Sequence, residues 1–279
     1  MTSTCVVTIC SLNYLSKALV LCDSYKQYHP DHSFCLVIVD KKTSLPESLL
    51  DQSMLVIWVE DLGIPNFLHY AFCYDVIELN TNVKPTAMRH LLNLYDQVIY
   101  LDPDIEVFAE LSPVFDGLNN SSIILTPHYM EPILDGCKPD DLDLLKFGLF
   151  NLGFIGVSRC EESFKFLDWW SARCLEYGFY EIQSGLAVDQ KWASLAVSFF
   201  PNILVTYDCG LNLAFWNLHE RQITTKDDEL YVNSTHKLRF SILARLTLID
   251  LKQLLESKPA LRNFPDRILG HWQRNMRVK

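Results

Sequence analysis

The amino-acid sequence predicts an α/β fold in which a mostly parallel central sheet is flanked by helices. In the first half of the chain, short apolar runs alternate with segments whose apolar residues recur at helical spacing, the pattern of strand–helix–strand units. The runs are continuously apolar, as expected for strands buried on both faces. The 279 residues are 49% hydrophobic and 21% charged, typical of a globular protein that buries a sizeable core. We expect a single domain with a less regular C-terminal part.

The predicted strands are apolar runs bounded by polar or turn residues. They cover residues 5–9, 34–39, 54–59, 97–101, 122–126 and 150–157, with further β structure within 199–207. Ligands of parallel sheets bind beyond the carboxyl ends of the strands. We therefore expect chemistry just after Ile9, Val39, Leu101 and Val157.

Three helices are predicted from apolar residues spaced three or four positions apart. The first begins near Leu15, with Ser11 or Asn13 as its N-cap. The second begins around Pro85, because proline is favoured in the first turn of a helix. The third spans Glu161–Tyr177.

Two carboxylates separated by one residue follow the predicted strand at 97–101. Asp102 and Asp104 would stand at the carboxyl edge of the sheet, and Pro103 between them fixes φ and opposes a continuing helix. Mn²⁺ and Mg²⁺ prefer such hard oxygen ligands, and an ion held there could stabilise a diphosphate as a leaving group. The alternative for this pair is a strand-terminating turn capped by aspartate.

A second acidic pair, Asp141 and Asp143, has the same spacing but a different context. It lies in a charged, helix-like segment with no strand leading into it. We interpret it as a solvated helix face.

Several short segments occur in an order that resembles a known family. They are residues 7–15 (VTICSLNYL), 84–85 (KP), 101–104 (LDPD), 150–154 (FNLGF), 188–192 (VDQKW) and 210–218 (GLNLAFWNL). Together they resemble bacterial glycosyltransferases related to the retaining, galactosyltransferase-like (family 8-like) group, which has the GT-A fold. The similarity runs from about residue 4 to about residue 240.

The resemblance implies which residues would bind the nucleotide. Thr8, Asn13 and Tyr14 would contact the nucleoside, with the Tyr14 ring stacked on the base. Lys84 would lie beside the diphosphate as a positive partner. From the residues alone, a core aromatic at position 14 and an exposed lysine at position 84 are equally good interpretations.

The resemblance also implies which residues would face the sugar. Asn151, Gly153 and Asn212 would contact the donor, because an amide can donate to and accept from hydroxyls and a glycine lets the sugar approach. Asp189 and Gln190 would act at the anomeric centre, where a carboxylate stabilises developing positive charge. A bulge glycine and an aspartate at a helix N-terminus are the structural alternatives for Gly153 and Asp189.

Related enzymes carry a late histidine as a third protein ligand to the metal, in a segment resembling HFSG. The corresponding residues 238–245 read LRFSILAR, without histidine. One hypothesis is a lost T in a run of T, which would turn codons for RFFHFSS into RFSILAR and make the remaining chain out of frame; resequencing the gene tests it. His219 or His236 would be substitute ligands. We accordingly divide the chain into a GT-A-like catalytic domain, 1–240, and a divergent basic segment, 241–279.

Charge and cysteine content restrict the partners and the location. The net charge of −10 opposes nucleic-acid binding. Residues 258–279 nevertheless carry six basic residues and one acidic residue, a balance of +5, which fits either a solvated tail or a weak contact with anionic lipid at the inner membrane face. Nine cysteines without a C-x-x-C pair, and no basic residue before the first apolar run, predict free thiols in a cytoplasmic protein.

The predicted function is metal-dependent transfer of a hexose from a nucleotide-sugar, with a UDP-sugar as the expected donor, to a carbohydrate or glycolipid hydroxyl. The missing histidine favours the alternative of a catalytically impaired nucleotide-sugar-binding protein. A phosphohydrolase is the other alternative, but its acidic pair usually follows the first strand, whereas this one follows about the fourth.

Overall fold

A seven-stranded sheet lies at the centre of the computed structural model, which describes residues 2–43, 54–134, 136 and 138–242. Along the chain the strands are β1 (Thr4–Cys10), β2 (Ser33–Ile38), β3 (Met54–Trp58), β4 (Gln97–Leu101), β5 (Ile105–Val107), β6 (Ile123–Pro127), β7 (Phe150–Ser158), β8 (Ile203–Val205), β9 (Ile223–Lys226), β10 (Glu229–Val232), β11 (His236–Lys237) and β12 (Phe240–Ile242). The central sheet has the order β3-β2-β1-β4-β7-β6-β8, and two small sheets pair β9 to β11 and β5 with β12.

Strand direction explains where the polar side chains meet. Strands β1 to β4 of the sheet are parallel, as are β6 and β8, so the prediction of a mostly parallel sheet is confirmed. Strand β7 is antiparallel to both of its neighbours, with Leu101 opposite Phe154. The expectation of chemistry after Val157 is therefore wrong: the beginning of β7, with Asn151 and Gly153, reaches the edge where β4 ends.

The helices cover both faces of the sheet. They are α1 (Leu15–Tyr28), α2 (Phe67–Cys73), α3 (Val76–Asn82), α4 (Lys84–Leu92), α5 (Ser112–Leu118), α6 (Asp141–Phe147), α7 (Glu161–Tyr177) and α8 (Gln190–Phe199). Short 3₁₀ turns occupy Leu12–Tyr14, Val59–Leu62, Ile182–Ser184 and Phe215–Asn217. The three predicted helices are confirmed, including the proline in the first turn of α4. No helix of the described residues is both long and apolar enough to cross a bilayer.

The predicted N-cap of α1 is wrong. The turn Leu12–Tyr14 precedes α1, so Tyr14 takes the cap position without a capping side-chain bond. The Ser11 hydroxyl instead donates to the carbonyl of Val39, at 3.2 Å. This bond ties the loop after β1 to the end of β2.

Alternate residues of each central strand pack into two apolar clusters, one on each face of the sheet. Val7, Val98 and Tyr100 pack on the side of α4 and α7. Ile99 and Leu101 pack on the side of α1 and α5. Because both faces are covered, the ends of the strands are where polar groups can gather around a ligand.

The second acidic pair, Asp141 and Asp143, lies in the first turn of α6. Asp140 accepts hydrogen bonds from the backbone N–H groups of Leu142 and Asp143, and the Asp143 side chain accepts from the N–H of Asp140, which completes a capping box. Asp141 is exposed as expected, whereas the Asp143 side chain is only 17% exposed. The solvated-face interpretation therefore holds for Asp141 alone.

The last strand of the described residues, β12, pairs with β5, the strand that directly follows the first acidic pair; Phe240 lies opposite Val107 and Ile242 opposite Ile105. Residues 243–279 lie outside the described residues. The basic stretch and most of the divergent segment lie there, as do most of the residues that the frameshift hypothesis concerns.

Candidate active site

Two adjoining cavities open at the carboxyl edge of β1 and β4. The smaller, about 430 Å³, is lined by the loop after β1, by α3 and by Asp102, Pro103 and Asp104. The larger, about 660 Å³, is lined by Asp102 together with Asn151, Gly153, Asp189 and Gln190 among others. Both include Asp102 and Thr81, so the first carboxylate of the acidic pair stands where the cavities meet.

Asp102 is held by strand β7 and by its own strand. Its backbone N–H donates to the carbonyl of Gly153 at 2.8 Å, and its Oδ1 accepts from the Tyr100 hydroxyl at 2.5 Å. Its Oδ2 approaches Gly153 so closely that a Cβ there would lie 2.9 Å from it. The missing side chain of Gly153 therefore makes room for the Asp102 carboxylate, and the contact with a donor sugar that the resemblance implies remains a prediction.

Lys84 and Asp189 form a buried ion pair behind this carboxylate. Lys84 Nζ lies 2.6 Å from Asp189 Oδ2, and the two side chains are 2% and 3% exposed. The two charges are close enough for an ion pair, but no group of the described residues makes a hydrogen bond of good geometry to Asp189 Oδ2. The same ammonium donates to the carbonyl of Leu152 at 2.8 Å and lies 4.2 Å from the centre of the Tyr100 ring. Lys84 is thus oriented towards Asp189, and its role at a diphosphate remains a prediction.

The backbone around Asp189 is constrained. Asp189 precedes the first residue of α8, yet its carboxylate makes no capping bond, and its carbonyl accepts from the Trp170 indole N–H at 3.0 Å. Val188 before it has φ of 44°, a conformation rarely adopted by a β-branched residue. Such strain, about 1–3 kcal/mol, occurs most often at functional sites.

Burial shifts the pKa values of three groups in the site. It raises the pKa of the Tyr100 phenol, and the Asp102 carboxylate adds to the rise, so the hydroxyl stays protonated and donates to Asp102. It also raises the pKa of the Asp189 carboxyl, a rise that the Lys84 ammonium opposes. Burial lowers the pKa of His128 to about 4, which keeps the imidazole neutral at pH 7.

A chain of buried amides supports the start of β7. Asn151 Nδ2 donates to Asn212 Oδ1 at 2.8 Å, and Asn151 Oδ1 accepts from the N–H of Gly153 at 2.8 Å. Asn212 in turn donates to the carbonyl of Pro127 at 2.8 Å and adopts a left-handed φ of 60°. Asn151 lines the larger cavity, whereas Asn212 is fully buried behind it, so contact of Asn212 with a substrate remains a prediction.

Gln190 lines the larger cavity beside Asp189, but both ends of its amide are already bonded. Its Oε1 accepts from the N–H of Leu152 at 3.3 Å, and its Nε2 donates to the carbonyl of Phe147 at 2.9 Å. Gln190 therefore joins β7 to the end of α6 across the cavity.

The three residues expected to contact a nucleoside separate into two groups. Asn13 and Tyr14 line the smaller cavity; both are exposed, and Lys17 Nζ lies 4.5 Å from the centre of the Tyr14 ring. Thr8 is fully buried on β1 and lines neither cavity, and its hydroxyl has no hydrogen-bond partner among the described residues. Ser11 and Asn80, neither of which was predicted from the sequence to contact a nucleoside, also line the smaller cavity and are joined by a 2.8 Å hydrogen bond.

Six aromatic side chains line the larger cavity and form an aromatic wall: Phe147, Tyr180, His128, Tyr129, Phe215 and Trp216. No role was predicted for them from the sequence. The rings of Phe147 and Tyr180 stack with centroids 6.3 Å apart, and those of His128 and Trp216 meet edge to face at 5.8 Å. Phe215 and Trp216 lie within the segment 210–218 that carried the family resemblance, and Phe147 ends α6; the other three come from connecting segments without a motif.

The residues present fit a divalent ion whose coordination would be completed by oxygens of a bound substrate. Among the described residues, no cluster of three or more histidine, cysteine, aspartate or glutamate side chains could hold a metal by itself. Mg²⁺ is commonly held by one or two carboxylates with phosphate oxygens and water, and Asp102 and Asp104 offer such carboxylates. His219 and His236 contact Glu131 and Asp208 and line neither cavity of the described structure.

Comparisons with known proteins show which sequences this chain is similar to. No family model matches the chain. The uncharacterised protein YfnF of Bacillus subtilis (strain 168) is 24% identical over 259 residues, 90% of this chain and 85% of YfnF. YfnD of the same organism, also uncharacterised, is 22% identical over 252 residues, 88% of this chain and 79% of YfnD.

Among solved structures, the bifunctional glycosyltransferase WbbM in its apo form is similar with a TM-score of 0.53 at 14% identity. The match covers 95% of this chain and 50% of the WbbM chain, so the protein spans about half of that structure. At this identity the likeness concerns the fold alone. The chain has the α/β fold of GT-A glycosyltransferase structures, with a mostly parallel central sheet flanked by helices.

Proposed function

We propose that this protein is a metal-dependent glycosyltransferase that moves a hexose from a nucleotide-sugar to an acceptor hydroxyl. The observation that carries the proposal is the position of Asp102 at the junction of two cavities, with Asp104 lining the smaller one and Asp189 the larger one. A donor consists of a nucleoside, a diphosphate and a sugar in line. A junction whose carboxylates would hold a divalent cation suits the diphosphate, since the cation offsets the repulsion between them, and one cavity lies on each side for the other two parts.

The smaller cavity suits the nucleoside. Tyr14 offers an exposed ring for stacking, and Asn13 and Ser11 offer hydrogen-bonding groups beside it. A UDP-sugar is the expected donor from the resemblance to the family 8-like group.

The diphosphate would lie at Asp102 and Asp104. Mn²⁺ or Mg²⁺ bound there would neutralise its charge and stabilise it as a leaving group. Asp102, held by β4 and β7, and Asp104, which lines the smaller cavity, would hold the ion where the two cavities meet.

The sugar and the acceptor would share the larger cavity. The Asp189 carboxylate, kept next to Lys84, stabilises positive charge that develops on the sugar ring, and Asn151 and Gln190 shape the wall around it. The aromatic wall offers apolar faces for an acceptor, a carbohydrate or glycolipid. Attack of the acceptor hydroxyl on the face of the ring from which the diphosphate departs would retain the anomeric configuration, as the resemblance implies.

A thermal-shift screen of nucleotide-sugars, with and without Mn²⁺, tests donor binding, because a ligand that binds only the folded state raises the unfolding temperature. The proposal expects stabilisation by one donor class that depends on Mn²⁺ and is lost in Asp102→Asn and Asp104→Asn. Release of the nucleoside diphosphate, measured with the stabilising donor, then tests turnover. Absence of metal-dependent stabilisation by any nucleotide-sugar would refute the proposal.

A nucleotide-sugar-binding protein without turnover is the second candidate. It is favoured by the absence of histidine at residues 238–242, next to the acidic pair through β5 and β12. Stabilisation without diphosphate release, with an acceptor panel included, would support this candidate.

A further inference from the structure

The side chain of Tyr100 contacts both the Asp102 carboxylate and the Lys84 ammonium. It stands on β4 two residues before Asp102, so the two side chains leave the same face of the strand. Its hydroxyl donates to Asp102 Oδ1 at 2.5 Å, and Lys84 Nζ lies 4.2 Å from its ring centre. Tyr100 itself is only 2% exposed, so it acts chiefly through these neighbours.

The two oxygens of Asp102 differ because of this contact. Oδ1 accepts the Tyr100 hydroxyl, whereas Oδ2 lies over Gly153, within 2.9 Å of where a Cβ would be. The carboxylate is thereby held between a donor on its own strand and the backbone of β7. Rotation about its terminal bond would break the first contact, so one orientation is favoured.

The Tyr100 ring is also fixed from the other side. An ammonium over an aromatic face is attracted by the π electrons, most strongly when both are desolvated. Lys84 cannot leave this position without losing Asp189, 2.6 Å away, and the carbonyl of Leu152. The position of the phenol therefore depends on a buried ion pair rather than on packing alone.

We propose that Tyr100 is a positioning residue that orients the Asp102 carboxylate for cation binding. The phenol hydroxyl fixes Oδ1, which leaves Oδ2 as the oxygen presented to the ion, and Lys84 secures the ring. The inference rests on the proposed function, since a cation at Asp102 is part of it. Groups that orient a metal ligand typically contribute 10- to 100-fold to metal affinity.

The test is the Tyr100→Phe variant, which keeps the ring over Lys84 and removes only the hydroxyl. Mn²⁺ binding is measured by calorimetric titration of the protein in the presence of UDP. We expect the Mn²⁺ Kd to rise about 10- to 100-fold. Tyr74→Phe is the matched control: Tyr74 is a buried tyrosine whose hydroxyl donates to the carbonyl of Leu175 at 2.7 Å, and it lines neither cavity. Its Kd should equal that of the wild type.

Asp102→Asn separates failure of this inference from failure of the proposed function. Wild-type Mn²⁺ affinity in Asp102→Asn would refute the metal site itself. Loss of affinity in Asp102→Asn with wild-type affinity in Tyr100→Phe would overturn only the positioning role. In the double variant, Tyr100→Phe should add no further loss, because its effect passes through Asp102; an added tenfold loss contradicts the inference.

A second variant keeps the inference testable if Tyr100→Phe does not fold. Gly153→Ala places a methyl group 2.9 Å from Oδ2 and must turn the same carboxylate from the opposite side. A 10-fold or greater rise in the Mn²⁺ Kd is expected, and an unchanged Kd would show that the orientation of Asp102 is unimportant.

Discussion

Replacing Lys84 with methionine should destabilise the protein strongly. Methionine keeps much of the length of the side chain but removes the ammonium that lies 2.6 Å from Asp189 and bonds the carbonyl of Leu152. Breaking a buried ion pair by removing one partner costs about 3–5 kcal/mol, because the other charge stays buried without compensation. We expect a loss of that size in the free energy of unfolding, measured by urea titration at pH 8.

The loss should depend on pH. Without Lys84, desolvation and the Asp102 carboxylate still raise the pKa of Asp189 and the opposing ammonium is gone, so its folded-state pKa rises further above the unfolded value of about 3.9. Between those two pKa values the folded state binds more protons than the unfolded state, and stability falls as pH rises through the window. The destabilisation of Lys84→Met should therefore be smaller at pH 5 than at pH 8.

Two further variants control this experiment. Lys42→Met removes an ion pair with Asp61 whose Nζ–Oδ2 distance is 2.8 Å but whose side chains are both about half exposed, and it should cost less than about 1 kcal/mol. Lys84→Met combined with Asp189→Leu removes both charges and should recover most of the stability. A loss below about 1 kcal/mol for Lys84→Met, or no recovery in the double variant, would refute the buried ion pair as an energetic feature.

Three further predictions concern other parts of the site. Asn212→Ala removes two buried hydrogen bonds and keeps a left-handed φ, so it should destabilise by about 2–4 kcal/mol in urea titration, and Asn212→Gly by roughly 1 kcal/mol less. Burial lowers the pKa of His128 to about 4, so between pH 4 and about 6.5 the unfolded state binds more protons than the folded state. The free energy of unfolding should therefore fall by up to about 3 kcal/mol as the pH drops through that range. His128→Gln should remove this part of the pH dependence. Tyr14→Ala should raise the Kd for UDP about 5- to 150-fold in calorimetry if the ring stacks on the base, and an unchanged Kd would contradict stacking.

Much of the fold could be predicted because local pattern and burial agree. Strand β4 occupies the predicted residues 97–101, and α7 spans Glu161–Tyr177 as expected. The strand is a continuous apolar run and the helix has a clear apolar face; in the structure β4 lies in the middle of the central sheet and α7 packs against it. The position of Asp102 at the carboxyl edge of the sheet could be predicted from the end of β4 alone.

Other features could not be predicted because they depend on contacts between distant segments. An apolar run does not reveal strand direction, so the reversal of β7, which brings Asn151 and Gly153 to Asp102, was missed. Lysine before a helix gives no sign of a partner 105 positions away, yet Lys84 pairs with Asp189. The aromatic wall likewise unites residues from four separate segments of the chain, and nothing in the sequence of any one segment indicates that they meet at one cavity.

Diffraction at the manganese absorption edge, from crystals soaked with Mn²⁺ and UDP, would locate the metal ion in the site. We expect one anomalous peak at about 2–2.5 Å from carboxylate oxygens of Asp102 and Asp104, with diphosphate oxygens as further ligands. The same peak should be absent from crystals of Asp102→Asn. A manganese ion bound elsewhere, or UDP seated with its diphosphate away from Asp102, would contradict the assignment.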